Sequence, residues 1–182
     1  MTETPVTTIE VVFAGAEIQS RIRALAEDIR DANLDKLIVI PILKGSFVFA
    51  ADLLRALHAV GVRPEVDFLT LSSYGRGTMS SGVVSVTRDI DLDVEGRPVL
   101  LVDDILESGR TLAYAKDLLT ARGASKVLTC VLLDKATRRR AVDISADFKA
   151  FDCPDVFVVG YGMDLAYRYR ELPFVGRVVM GE

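Results

Sequence analysis

Tryptophan is absent from the 182 residues, histidine occurs once and cysteine only twice. With His58 as the lone imidazole, histidine-rich metal sites and histidine-pair acid–base chemistry drop out of consideration. Cys130 and Cys153 are too few and too far apart for a disulfide scaffold or a four-thiolate zinc site, so a reducing compartment is expected. A basic excess is missing as well: 22 Lys and Arg stand against 26 Asp and Glu, a net charge of -4, without the basic stripe that nucleic-acid phosphates require. No apolar stretch reaches the length of a membrane span, and residues 1–9 lack the basic start and apolar region of an export signal. The expectation is a cytoplasmic protein with neither nucleic-acid nor membrane partners.

What is present is a chain half of whose residues are hydrophobic, enough to enclose one large core, and a single domain over 1–182 is expected. Ile18, Ile22, Leu25, Ala26 and Ile29 recur at helical spacing and predict an amphipathic helix over 15–31. The apolar run 37–40 reads as a strand, followed through Lys44-Gly45-Ser46 by a helix carrying Phe49, Leu53, Leu54 and Leu57. Strands are also expected over 65–71, 83–87, 98–102, 127–133 and 156–159, with a polar, glycine-rich mobile loop over 74–82 and a helix from Gly109 towards Gly123. Alternating strands and helices predict an α/β fold, an open, largely parallel twisted sheet flanked by helices. The triplet Arg138-Arg139-Arg140 reads as part of a solvated face.

In such sheets ligands bind beyond the carboxyl ends of the strands. Polar clusters follow the predicted strands directly at 44–46, 103–111, 134–135 and 160–164, and they should converge on one edge. The most informative stretch is VLLVDDILESGRTL over 99–112. Two acids closing an apolar strand are costly to bury without partners, and ribose hydroxyls or a hydrated metal are suitable ones. The small residues after Glu107 let the backbone close on an oxyanion, and free N–H groups at the following helix start favour phosphate. A P-loop is a poor match, because its first glycine would fall at Asp104 and its lysine at Arg110.

This stretch resembles the 5-phosphoribosyl 1-pyrophosphate signature of type I phosphoribosyltransferases. ILKGSFVF over 42–49, LSSYG over 71–75, VLLDKATRR over 131–139 and FVVGYGMD over 157–164 are similar, in the same order, to hypoxanthine-guanine phosphoribosyltransferases. The resemblance implies purine salvage: transfer of the phosphoribosyl group to hypoxanthine or guanine with release of pyrophosphate, dependent on magnesium. It also implies a homodimer or homotetramer, and a core over about 36–150 with a hood over the base site from about 1–35 and 151–182.

By the same resemblance, Leu43, Lys44, Gly45 and Ser46 hold pyrophosphate, with a cis peptide between Leu43 and Lys44, and Arg170 lies near the leaving group. Ile105, Leu106, Glu107, Ser108, Gly109, Arg110 and Thr111 wrap the donor's phosphate. Asp103 and Asp104 contact the ribose hydroxyls directly or through magnesium, and Asp164 lies near a second such ion and the base. Ser73 and Tyr74 sit on a loop that closes over the reaction centre. Lys135 donates to the purine 6-oxygen, Phe157 stacks on the ring and the Val158 backbone reads its edge. Two positions depart from the family pattern: Glu107 stands where these relatives usually carry the aspartate that takes the purine N7 proton, and Asp103 where many carry glutamate. The double aspartate leaves xanthine or adenine as alternative acceptors, and a donor-sensing regulator without catalysis is an alternative of another class.

Overall fold

The computed structural model describes residues 7–74, 83–135 and 140–180. In chain order it contains β1 (Thr7–Phe13), α1 (Gly15–Asp31), β2 (Ile38–Leu43), α2 (Phe47–Ala59), β3 (Glu65–Val66), β4 (Leu69–Tyr74) and β5 (Val83–Arg88). There follow β6 (Pro98–Leu106), α3 (Arg110–Ala121), β7 (Lys126–Lys135), β8 (Phe148–Cys153), β9 (Val158–Val159) and β10 (Val175–Met180).

The main sheet runs β5-β4-β2-β6-β7-β8, with β3 also paired to β2. All of its pairings are parallel except β4 with β5. Side chains alternate across a strand, so β2, β6 and β7 feed two cores. Val39, Leu100, Val102, Cys130 and Leu132 pack beneath α1 and α2, with Ile18, Ile22, Leu25, Phe49 and Leu53. Ile38, Ile40, Leu101, Val127 and Val131 face the other way, against Leu112, Ala115 and Leu119 of α3. Burial on both faces is why these strands are continuous apolar runs.

The three predicted helices are present, and the strand expected over 65–71 is broken at Asp67. Its carboxylate accepts the N–H groups of Phe68 (2.7 Å), Asp91 (2.6 Å) and Leu92 (3.0 Å), tying the break to the connection that leads into β6. The run expected as a core strand over 156–159 is corrected: only Val158–Val159 is strand, and it pairs antiparallel with β10 in a separate sheet ordered β1-β10-β9. That small sheet joins both ends of the chain, and Phe13 at its corner stacks on Phe151 of β8 at 4.3 Å. Within the segment 1–35, β1 belongs to the small sheet while α1 packs on α2 and β8. Most of the loop expected over 74–82, and Arg138 and Arg139, lie outside the described residues.

Candidate active site

Since β2, β6 and β7 are mutually parallel, Leu43, Leu106 and Lys135 end on one edge of the sheet. After β2 the Leu43–Lys44 peptide is cis, at the bond where the resemblance placed it. Lys44 is exposed, while Ser46 is buried and its hydroxyl donates back to the Ile42 carbonyl at 2.6 Å. A phosphate could therefore meet the backbone of this turn or the Lys44 ammonium, but the Ser46 hydroxyl is already committed.

At the end of β6 the two acids stay in side-chain contact, and each borders its own cavity. Asp103 is buried and opens into a cavity of about 220 Å³ lined also by Ile105, Leu106, Glu107, Ser108, Gly109 and Thr111. Asp104 lines a neighbouring cavity of about 680 Å³ with Leu43, Lys44, Gly45, Asp164 and Arg170. Burial, and then the charge of Asp104, push the Asp103 carboxyl well above the usual carboxylate range. The Asp104 N–H donates to Asp103 Oδ1, and the Ile105 N–H to Asp104 Oδ1, both at 3.0 Å. These local bonds tie each carboxyl to the strand backbone, and the two side chains also bond to one another between the two cavities.

The turn 107–109 then opens α3 with Gly109 at φ 80°, a conformation that suits glycine. A Cβ there would also fall 2.7 Å from Ile144 Cγ2 and 3.1 Å from the Val142 carbonyl. The outer side of the turn is held by Ala141 and Val142, whose N–H groups donate to the Ser108 carbonyl at 2.9 and 3.3 Å. Arg140 clamps the same corner: its guanidinium donates to Asp134 (2.7 Å), the Ile144 carbonyl (2.8 Å) and the Lys135 carbonyl (3.2 Å). The expectation of a solvated face is thus corrected at Arg140, which joins the ends of β6 and β7. Its position inside an arginine run hid it, because only a folded partner set distinguishes a bonded arginine from its neighbours.

Lys135, 5 % exposed, ends β7 with its Nζ 3.4 Å from Glu107 Oε1 and 3.7 Å from Asp155 Oδ1. Asp155 draws the lysine to the segment carrying Phe157, which is 55 % exposed, and Val158, which is buried. The nearby Cys153 thiol is pushed up by burial, against the opposing pull of Lys135, and is therefore a poor nucleophile. His58 is exposed near the end of α2, away from these strand ends.

From the small-sheet side comes the turn after β9. Asp164 pairs with Arg170 at 2.8 Å, and Arg170 Nη1 donates to the Gly162 carbonyl at 2.6 Å. A Cβ on Gly162 would overlap the Gly45 carbonyl, and one on Gly45 would overlap the Asp104 carboxylate. Two loops and the end of β6, distant in sequence, therefore share one corner. Among the described residues no three carboxylate, thiol or imidazole groups form a ready-made metal cage. Asp104 and Asp164 nevertheless offer hard oxygens to one cavity, the mode in which magnesium binds through one or two carboxylates, waters and substrate phosphates. Ser73 and Tyr74 end β4, and the placement of their side chains lies outside the described residues.

Comparison with known proteins agrees with this geometry. The family model described as phosphoribosyl transferase domain matches residues 10–166. The hypoxanthine phosphoribosyltransferase of Salmonella typhimurium is 44 % identical over 95 % of this chain and 97 % of its own length. The hypoxanthine-guanine phosphoribosyltransferase of Bacillus subtilis is 42 % identical over 92 % and 91 %. Among solved structures, a hypoxanthine phosphoribosyltransferase from Staphylococcus aureus superposes with a TM-score of 0.86 at 36 % identity, covering 93 % of this chain and 91 % of the other. The hypoxanthine phosphoribosyl transferase of Trypanosoma cruzi gives 0.87 at 37 %, covering 98 % and 94 %. A strand-turn-helix with paired acids, a cis-peptide loop beside it and a lysine ending the next strand thus occur in a chain that belongs to the phosphoribosyltransferase family, on its hypoxanthine phosphoribosyltransferase branch.

Proposed function

We propose that the protein transfers the 5-phosphoribosyl group of 5-phosphoribosyl 1-pyrophosphate to N9 of hypoxanthine or guanine, giving IMP or GMP and pyrophosphate, in the cytoplasm and as a homodimer or homotetramer. The observation that carries the reading is that the paired acids of β6 border both the cavity of the 105–112 turn and the cavity of Lys44 and Arg170. A sugar lying across the two carboxylates would present its 5-phosphate to the turn and its pyrophosphate to the cations.

In the reaction the bond from C1 to the pyrophosphate oxygen breaks and the bond from C1 to purine N9 forms. Positive charge that gathers on the sugar is favoured by the Asp104 carboxylate, set in place before the charge develops, with Asp103 beside it as a hydrogen-bond partner of the ribose hydroxyls. Lys44 and Arg170 receive the departing pyrophosphate. Lys135 donates to the purine 6-oxygen, and as an ammonium it has no acceptor for the amino group of adenine. Glu107 takes the proton released from purine N7 and returns it to solvent. Phe157 stacks on the ring, Val158 reads its edge, and the small sheet serves as the hood over the base. Ser73 and Tyr74 close over the centre and exclude water that would intercept the sugar. Asp104 and Asp164, with Asp103, would hold magnesium, which when bound to the pyrophosphate neutralises the charge of the leaving group.

The test is turnover. Purified protein with the donor and magnesium is offered hypoxanthine, guanine, xanthine and adenine, singly and in competition, and nucleotide formation is followed. Products from hypoxanthine or guanine are expected. Preference for adenine would refute the role of Lys135, and donor binding without product from any base would refute transfer.

A further inference from the structure

The turn that carries Asp164 and Arg170 is built in a way that holding those two residues does not explain. Ala166, Tyr167 and Tyr169 all have positive φ, at 51°, 67° and 75°, although none is glycine. Left-handed backbone is disfavoured for residues with a Cβ, and it persists only where surrounding bonds over-determine it. Here they do: the Tyr167 N–H donates to Asp164 Oδ2 at 2.7 Å, and Leu165 and Arg168 exchange N–H to carbonyl bonds at 3.1 Å. The product of this arrangement is a tyrosine ring that is 84 % exposed, so burial of the ring is not what the strained turn secures. What the ring does meet is the Lys44 ammonium, 5.9 Å from its centroid, at the wall of the cavity shared with Asp104 and Arg170.

We propose that Tyr167 is a positioning residue of the donor site, holding the Lys44 ammonium over the pyrophosphate cavity; this rests on the phosphoribosyl-transfer reading above. The chemistry favours a ring over a carboxylate at this place. An aromatic face attracts an ammonium through its quadrupole without cancelling its charge. It also leaves the N–H donors of the lysine free for phosphate oxygens, where a carboxylate would occupy them. A long lysine side chain loses rotamer freedom when it engages a ligand, and a ring that already restrains it reduces that loss.

Steady-state kinetics on the wild type, Tyr167→Phe, Tyr167→Leu, Lys44→Met and the double variant Lys44→Met/Tyr167→Leu test the idea. Tyr167→Leu should raise the KM for the donor roughly two- to fivefold, the range for an exposed cation–π pair, with kcat and the KM for hypoxanthine unchanged. Tyr167→Phe, which keeps the ring, should match the wild type. In the Lys44→Met background Tyr167→Leu should have no further effect. Tyr167→Gly, which relieves the left-handed backbone while deleting the ring, should show the same KM rise without loss of thermal stability. The inference is overturned by an unchanged donor KM in Tyr167→Leu, by an equal effect of that change with and without Lys44, or by a phenylalanine variant as impaired as the leucine one. Wild-type protein that turns over no 6-oxopurine would instead sink the transferase reading itself, so the two failures are distinct.

Discussion

Lys135 and Glu107 face one another across 3.4 Å, the cation proposed for the purine carbonyl beside the carboxylate proposed for its proton. Glu107→Gln keeps shape and polarity but cannot accept a proton, so kcat should fall on the order of 10²- to 10⁴-fold while the donor KM stays within about threefold, measured by steady-state kinetics. A near-normal kcat would show that the proton leaves by another route. Lys135 was legible in the sequence as part of the polar pair that follows the apolar run 127–133, and its role only through the resemblance carried by VLLDKATRR. Arg140 was not, because its bonds to Asp134 and to carbonyls of 135 and 144 depend on a corner formed only in the fold. The committed Ser46 hydroxyl was equally hidden, since a serine in a polar turn gives no sign of which way it points.

At the scale of elements, β6, the turn 107–109 and α3 form the unit on which the proposed donor site stands. Gly109 combines φ 80° with a neighbour that leaves no space for a methyl. Gly109→Ala should therefore cost about 1–3 kcal/mol of stability, read by denaturant unfolding, and raise the donor KM roughly ten- to a hundredfold by displacing the turn. A stable variant with an unchanged donor KM would show that the turn does not hold the phosphate. The strands β2, β6 and β7 were legible because both faces are buried, which leaves uninterrupted apolar runs. β1, β8 and β10 were not foreseen: they lie at sheet edges or in the small sheet, where Glu10, Lys149, Asp152 and Arg177 interrupt the apolar pattern with exposed charge. The split of β3 from β4 depends on Asp67 capturing distant N–H groups, which no local pattern records.

For the whole molecule, Asp67 is a stability element with a definite pH signature. Burial pushes its carboxyl up, but the N–H groups of Leu92, Phe68 and Asp91 outweigh burial and hold it below the usual value. A depressed folded value means a contribution present above the unfolded pKa of about 3.9 and lost as pH falls through the folded one. Asp67→Asn should lower stability by about 1–3 kcal/mol at neutral pH, and the gap from wild type should narrow in acid, as thermal unfolding across pH would record. A gap independent of pH would refute it. The convergence of strand ends on one edge was legible from alternating elements alone, whereas the bridging of both chain ends by a second sheet was not, since antiparallel pairing of β1 with β10 joins residues as far apart as Thr7 and Met180.

Where Gly162 meets Gly45 and Gly45 meets Asp104, the connections after β2 and β9 and the end of β6 mesh like teeth with no clearance. A single carbon added at Gly45 would push on the Asp104 carboxylate, and one added at Gly162 would push on the Gly45 carbonyl that stands before it. Under the proposed reaction, engineering of base preference from the Gly162 side thus carries a hidden penalty in donor affinity unless matching changes are made in the other two.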